Sequence, residues 1–166
     1  MIESAAVTDL AQRITDLRVD EFRGDVRVVL PSTELFAALE VLKQQHGFDL
    51  LVDMTCVDYA LYRDATDRFG LVYLLANTQT NERLTVRTFL NEPQLVVRSV
   101  VALWPGANWL EREIWDMFGI TFDGHPDHRR ILLPQEFSAH PLRKDYPLQG
   151  RGERHHFPVI TRGTPT

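Results

Sequence analysis

Three apolar runs at 48–59, 69–76 and 83–90, separated only by a polar loop at 60–68 and a turn at 77–82, constrain the fold more than anything else here. The first alternates, with Phe48, Leu50, Val52, Met54 and Cys56 expected on one face and Asp49, Asp53 and Thr55 on the other. That period is the signature of a strand covered on one side only. The second run is apolar throughout and is expected at the centre of a sheet, and the third alternates again. Short connections between successive strands predict a meander.

The flanking segments predict helices. Residues 4–17 carry Val7, Leu10, Ala11, Ile14 and Leu17 on one helical face. Short strands near 19–23 and 26–30, joined through Arg23-Gly24-Asp25, predict a hairpin. A second helix runs from Pro31-Ser32 to about residue 46, with Ser32 as N-cap, a Leu35/Leu39/Leu42 stripe and Gly47 as its stop. Pro93 and Pro105 punctuate 91–105, which has room for a short element only. A third helix over 107–117 ends at Gly119, its core stripe formed by Leu110, Ile114, Met117 and Phe118, with Trp115 off the stripe. A short extended piece is expected around Leu132, and five prolines then mark 134–166. The fold class is α+β: helices packed on one mostly antiparallel sheet in a domain at 1–133, followed by an extended C-terminal tail at 134–166 that docks on partners.

The composition narrows the chemistry. A single cysteine, Cys56, cannot form a disulfide within the chain or build a cysteine-ligated zinc or iron–sulfur site alone. No glycine-rich phosphate loop follows a strand; Gly150-Arg151-Gly152 lies in the basic tail. The net charge of −5 argues against nucleic acid or an anionic membrane surface. The tail carries five Lys/Arg against three acids, so the body holds the negative excess. No apolar run is long enough to span a bilayer and no signal peptide is read at the N-terminus.

The stretch 109–131 concentrates two tryptophans, a charged helix (Glu111, Arg112, Glu113, Asp116) and a dense turn (His125, Asp127, His128, Arg129, Arg130). Arg112 and Asp116 are four apart and are expected to pair. The carboxylates could serve as an acid/base pair or form a solvated face; Trp115 among them favours a third reading, a surface covered by another protein. Asp123, His125, Asp127 and His128 offer ligands for zinc or a harder divalent ion, and would make a small metal-dependent hydrolase. Gly124-His125-Pro126-Asp127 also reads as a turn. Arg129 and Arg130 suit a substrate anion or a partner's acids. Cys56 reads as a small core residue.

Two long motifs carry a resemblance. Trp109, Glu111-Arg112-Glu113, Asp116-Met117-Phe118-Gly119-Ile120, Phe122, Gly124-His125-Pro126-Asp127 and Arg129-Arg130-Ile131-Leu132 make up the first, and His140-Pro141-Leu142-Arg143-Lys144-Asp145-Tyr146-Pro147-Leu148 the second. In that order they resemble the C subunit of NADH:quinone oxidoreductase, the respiratory complex I 30 kDa subunit family. Trp115 stands where tyrosine is commoner, and His128 where leucine is. The resemblance implies a non-catalytic subunit of the peripheral arm of a proton-translocating complex. On it the chain would hold no catalytic, cofactor-binding or metal residues, with FMN and iron–sulfur clusters in partner subunits. It would pack chiefly on the D subunit, which is hydrogenase-like and lines the quinone site, with the B and I subunits nearby, on the cytoplasmic side of the inner membrane. Trp109, Glu111, Arg112, Glu113, Trp115, Asp116, Gly119, His125, Pro126, Asp127, Arg129 and Arg130 would contact partners, joined by His140, Pro141, Arg143, Lys144, Asp145 and Tyr146 of the tail. A subunit of a related membrane-bound hydrogenase-type complex would read the same way.

Overall fold

The computed structural model describes residues 4–153. Its elements run α1 (Ala5–Arg13), β1 (Arg18–Phe22), β2 (Asp25–Val29), α2 (Leu35–His46), β3 (Leu50–Asp58), β4 (Phe69–Ala76), β5 (Arg83–Leu90), β6 (Val96–Arg98), α3 (Ala107–Phe118) and β7 (Thr121–Asp123). The α+β expectation holds. Five strands form one sheet in the order β1-β2-β5-β4-β3, in which only the β2/β5 contact is parallel. The meander β3-β4-β5 is antiparallel throughout. The hairpin turns on Arg23 and Gly24, both at positive φ, and Phe22 pairs Asp25 across it. Two left-handed central residues match the twist of a two-residue hairpin.

One face of the sheet carries the core. Phe69, Leu71, Tyr73 and Leu75 of β4 and Leu84 and Val86 of β5 are buried with Leu10 of α1, Leu35, Leu39 and Leu42 of α2, and Ile114 of α3. The opposite face is covered at Gly70 by Tyr59 and Phe89 but opens beyond it: Val72 is half-buried and Leu74 exposed, with β4 central as expected.

Several boundaries differ from the sequence reading. Helix α1 stops at Arg13, because Ile14 is extended, as suits its β-branched side chain. Ser32 opens a turn ahead of α2 and does not cap it; Glu34 occupies the cap position. Gly47 stops α2 at φ 72, and Gly119 stops α3 at φ 77. In β3 the expected alternation fails at its start. A β-bulge between Leu51 and Asp53 shifts the phase, burying Leu51 and Met54 and leaving Leu50 and Val52 exposed. A bulge adds one residue to a strand and re-aims those before it. Strands β6 and β7 pair in parallel on either side of α3; three residues each are too few for a period to show. Leu132 lies in no strand.

The tail does not leave the body at residue 134. Among the described residues it has no helix or strand, yet 140–146 lies against α3 and the β3–β4 end of the sheet. The remainder of the expected tail, 154–166, lies outside the described residues.

Candidate functional site

Helix α3 turns carboxylates inward as well as apolar residues. Glu111 and Asp116 are fully buried and Arg112 nearly so, whereas Glu113 is exposed. Asp116 is the hub. Its Oδ2 accepts the backbone N–H groups of Ile131, Leu132 and Leu133 at 3.0, 2.9 and 3.0 Å, and Oδ1 meets the Arg130 guanidinium. Desolvation pushes its carboxyl up; the Leu133 N–H, Arg130 and the Leu132 and Ile131 N–H groups outweigh it and hold it below the ordinary value.

The expected Arg112–Asp116 pair does not form. Arg112 reaches instead across the following loop, donating to the carbonyls of Arg129 and Arg130 at 3.0 Å each, with Asp127 at 3.8 Å. The two side chains point from α3 toward different parts of 124–133, and loop carbonyls and amides satisfy each in turn.

The last carbonyls of α3 lack helical partners, as at any helix end. The tail supplies them. His140 donates Nδ1–H to the Asp116 carbonyl at 3.0 Å, the Leu142 N–H reaches Met117 at 3.2 Å, and Arg143 Nε reaches Phe118 at 2.6 Å. A guanidinium here also meets the negative end of the helix dipole. Farther along, the Lys144 N–H donates to buried Asp58 at 2.8 Å, and Arg68 clamps Asp145 and Glu92 at 2.7 and 2.8 Å. Asp58, Arg68 and Glu92 were not singled out by the sequence reading. Asp58 had a signal: it continues the inward phase of Met54 and Cys56, and a charge there needs a partner.

Gly119 is where the close approach is tightest. A Cβ there would lie 2.6 Å from His140 Nε2 and 2.9 Å from Arg143 Nη2, on a backbone at φ 77. Gly119→Ala is expected to lower stability by about 1–3 kcal/mol and to detach the tail. Limited trypsin digestion should then cut after Arg143 or Lys144 well before the parent chain is cut there.

Glu111 sits in a second buried cluster. Its carboxylate accepts the Ser99 hydroxyl and the Val100 N–H, both at 2.7 Å, with His125 Nε2 3.9 Å away. Burial pushes it up to about 7, against the pull of those two bonds. Both buried carboxylates are engaged within the chain, Glu111 by Ser99 and Val100 and Asp116 by Arg130 and three backbone amides.

The ligands of the metal-site alternative are engaged in other bonds. His125 donates Nε2–H to the Asn108 carbonyl at 3.1 Å and accepts the Asp127 N–H at Nδ1, at 3.0 Å. Both ring nitrogens are thus used. Asp127 is held bidentately by Arg129 at 2.6 and 2.7 Å. Among the described residues no group of three or more His, Cys, Asp or Glu could hold a metal ion. The chain turns at Gly124, and His128 packs in tilted contact with Trp115 at 4.7 Å between ring centres. Cys56 is buried, and burial pushes its thiol up to about 12, as suits a core residue.

The family model for the respiratory-chain NADH dehydrogenase 30 Kd subunit matches residues 28–152. The chain belongs to that family. Its relatives include the C subunit of the NADH-quinone oxidoreductase of Trichlorobacter lovleyi, 46% identical over 82% of this chain and 83% of that one. That of Laribacter hongkongensis is 41% identical over 84% and 74%. A solved trypsin-resistant fragment of Nqo5 superposes with a TM-score of 0.67 at 34% identity, covering 73% of this chain and 96% of the fragment. A chain of a membrane-bound sulfane sulfur reductase, an archaeal respiratory membrane complex, shares the fold at TM-score 0.72 and 21% identity, covering 96% and 94%.

The motif residues of this 30 Kd family chain divide by exposure. Glu111, Asp116, Arg112, Arg130 and the His125 side chain face inward and are spent within the chain. In this chain those side chains bond inward and lie beneath the surface that the exposed motif residues form. Trp109, Glu113, Pro126, Arg129, Lys144 and Asp145 stay exposed; Trp115, Gly119, Asp127, His140, Pro141, Arg143 and Tyr146 are half-buried. Trp109 is 61% exposed, with the Arg112 guanidinium 5.3 Å from its ring.

Proposed function

We propose that this chain is a non-catalytic scaffold subunit of the peripheral arm of a proton-translocating NADH:quinone oxidoreductase. One observation carries the reading: the motif's buried and half-buried charged side chains, Asp116, Arg112, Arg130 and Arg143 among them, hold α3, the 124–133 loop and the 140–146 segment together as one surface. Asp116 alone ties the helix to the loop through four bonds. The names of relatives at 41–46% identity support membership of that complex. In this reading the electrons pass through FMN and iron–sulfur clusters of partner subunits. This surface docks chiefly on the D subunit, near B and I, at the cytoplasmic side of the inner membrane. Among the described residues no helix is long and apolar enough to cross a membrane, and attachment would come through the complex. The alternative, a subunit of a related membrane-bound hydrogenase-type complex, would use the same fold, which a chain of an archaeal respiratory membrane complex shares at 21% identity.

Trp109 is the natural anchor, since exposed tryptophan beside arginine is the residue pair that protein interfaces most reward. Trp109→Ala is expected to leave the melting temperature of the purified chain within about 1 °C, as surface changes generally do. Its share in a large membrane assembly on native gels should fall at least tenfold, in line with a hot-spot loss of about 2 kcal/mol or more. Unchanged assembly would count against the reading.

A further inference from the structure

We infer that the open face of the five-stranded sheet is a second docking surface, taking an acidic, aliphatic segment of a neighbouring subunit. The inference rests on the scaffold reading, but on residues outside both motifs. Register sets them side by side. Arg27 lies beside Thr85, which pairs Leu74, and Arg87 pairs Val72. Arg83 precedes Thr85 on the same face, two residues away. Val52 and Leu74, 54% and 36% exposed, close the apolar end.

A one-sided antiparallel sheet ordinarily meets water with polar side chains. Here the second face keeps Val72, Leu74 and Val52, and such a patch marks an interaction site when a charged group of one sign accompanies it. Arg27, Arg83 and Arg87 supply the sign. Arg13, Arg68, Arg112, Arg129, Arg130 and Arg143 each reach a carboxylate. Among the described residues, Arg27, Arg83 and Arg87 form no ion pair, nor do Arg18, Arg23, Arg63 and Arg98, but Arg18, Arg27, Arg83 and Arg87 share this one face. Arg87 is anchored by donating to the Tyr59 hydroxyl, and its Nε is buried with no partner. Arg27 lies 5.0 Å over Phe22. The acids of this face lie on the two edge strands and at the hairpin: Asp20 directly opposite Arg27, Asp53 directly opposite Leu74, and Asp25 at the hairpin end of β2. A cationic centre with aliphatic neighbours and an acidic rim selects a carboxylate flanked by apolar residues, placed over the middle of the sheet.

The test uses the assembled membrane complex. Arg83→Lys keeps the charge and adds an amine that a zero-length carbodiimide couples to an adjacent carboxylate. Mass spectrometry should find position 83 joined to an Asp or Glu of another subunit. Hydroxyl-radical oxidation of Leu74 and Val52 should run several-fold slower in the complex than in the dissociated chain. If the chain is in the complex but position 83 couples only within its own chain, to Asp25, and Leu74 and Val52 oxidise equally in both states, this inference is wrong while the scaffold reading stands. If the chain is absent from the complex, both fall.

Discussion

Replacing Asp116 with alanine is expected to cost about 3–5 kcal/mol of folding stability, the usual penalty for stripping one partner from a buried ion pair. For a chain of this size that lowers the melting temperature on the order of 10 °C. The substitution leaves Arg130 without its counter-charge and three consecutive amides, Ile131 to Leu133, without an acceptor. Asp116→Asn should recover part of the loss, since one amide oxygen still accepts the N–H groups, but not the ion pair. Arg130→Ala belongs to the same class: Arg130 is largely buried against Asp116, so its loss destabilises the domain itself. Arg129, its side chain 71% exposed, has no such role. Acid should mimic Asp116→Ala. The folded Asp116 carboxyl titrates below 3.8, so its contribution is complete well above that pH and is lost as the pH falls below it. Thermal scans from pH 6 down to pH 2.5 should show the parent losing stability faster than Asp116→Ala.

Glu111 produces the opposite slope. Its carboxyl is raised from 4.5 to about 7, so the folded state binds the proton more tightly than the unfolded one. That contribution is complete below 4.5 and is lost as the pH rises through 7. The full difference is on the order of 3 kcal/mol, or about 5–10 °C in melting temperature. Glu111→Gln keeps both bonds, with the amide oxygen accepting from Val100 and the amide nitrogen donating to the Ser99 hydroxyl, and it cannot titrate. The variant should therefore be the more stable of the two at pH 8, and the advantage should shrink toward pH 4.5. Parallel curves for parent and variant across that range would show that Glu111 is charged in the folded chain throughout.

These two carboxylates also mark where sequence reading stopped. Hydrophobic periodicity placed nearly every helix and strand, because the apolar stripe is what burial selects. The same logic sent Glu111, Arg112 and Asp116 to the surface, since polarity alone counts against burial. A finer signal existed for Glu111. It falls in step with Ala107, Ile114 and Phe118 on α3, so its side chain had to enter the core with them. Nothing local announces the partners of Asp116, which are backbone amides 15 to 17 residues away. The β3 bulge was equally silent, because inserting one residue leaves composition unchanged while reversing which side chains face inward. The folding back of 140–146 depends on Asp58, Arg68 and Glu92, distant in sequence and ordinary in context. The two motifs were legible as a unit; that one holds the end of the other was not.

Under the proposed function this surface positions neighbours and does no chemistry. The measurement that bears on it most directly is NADH:quinone turnover per assembled complex, in membranes carrying Trp109→Ala beside the parent, with assembly quantified on the same sample. Fewer complexes, each turning over at the parental rate, is the result a scaffold requires. Full assembly with slowed turnover in every complex would contradict it and return this chain to the reaction itself.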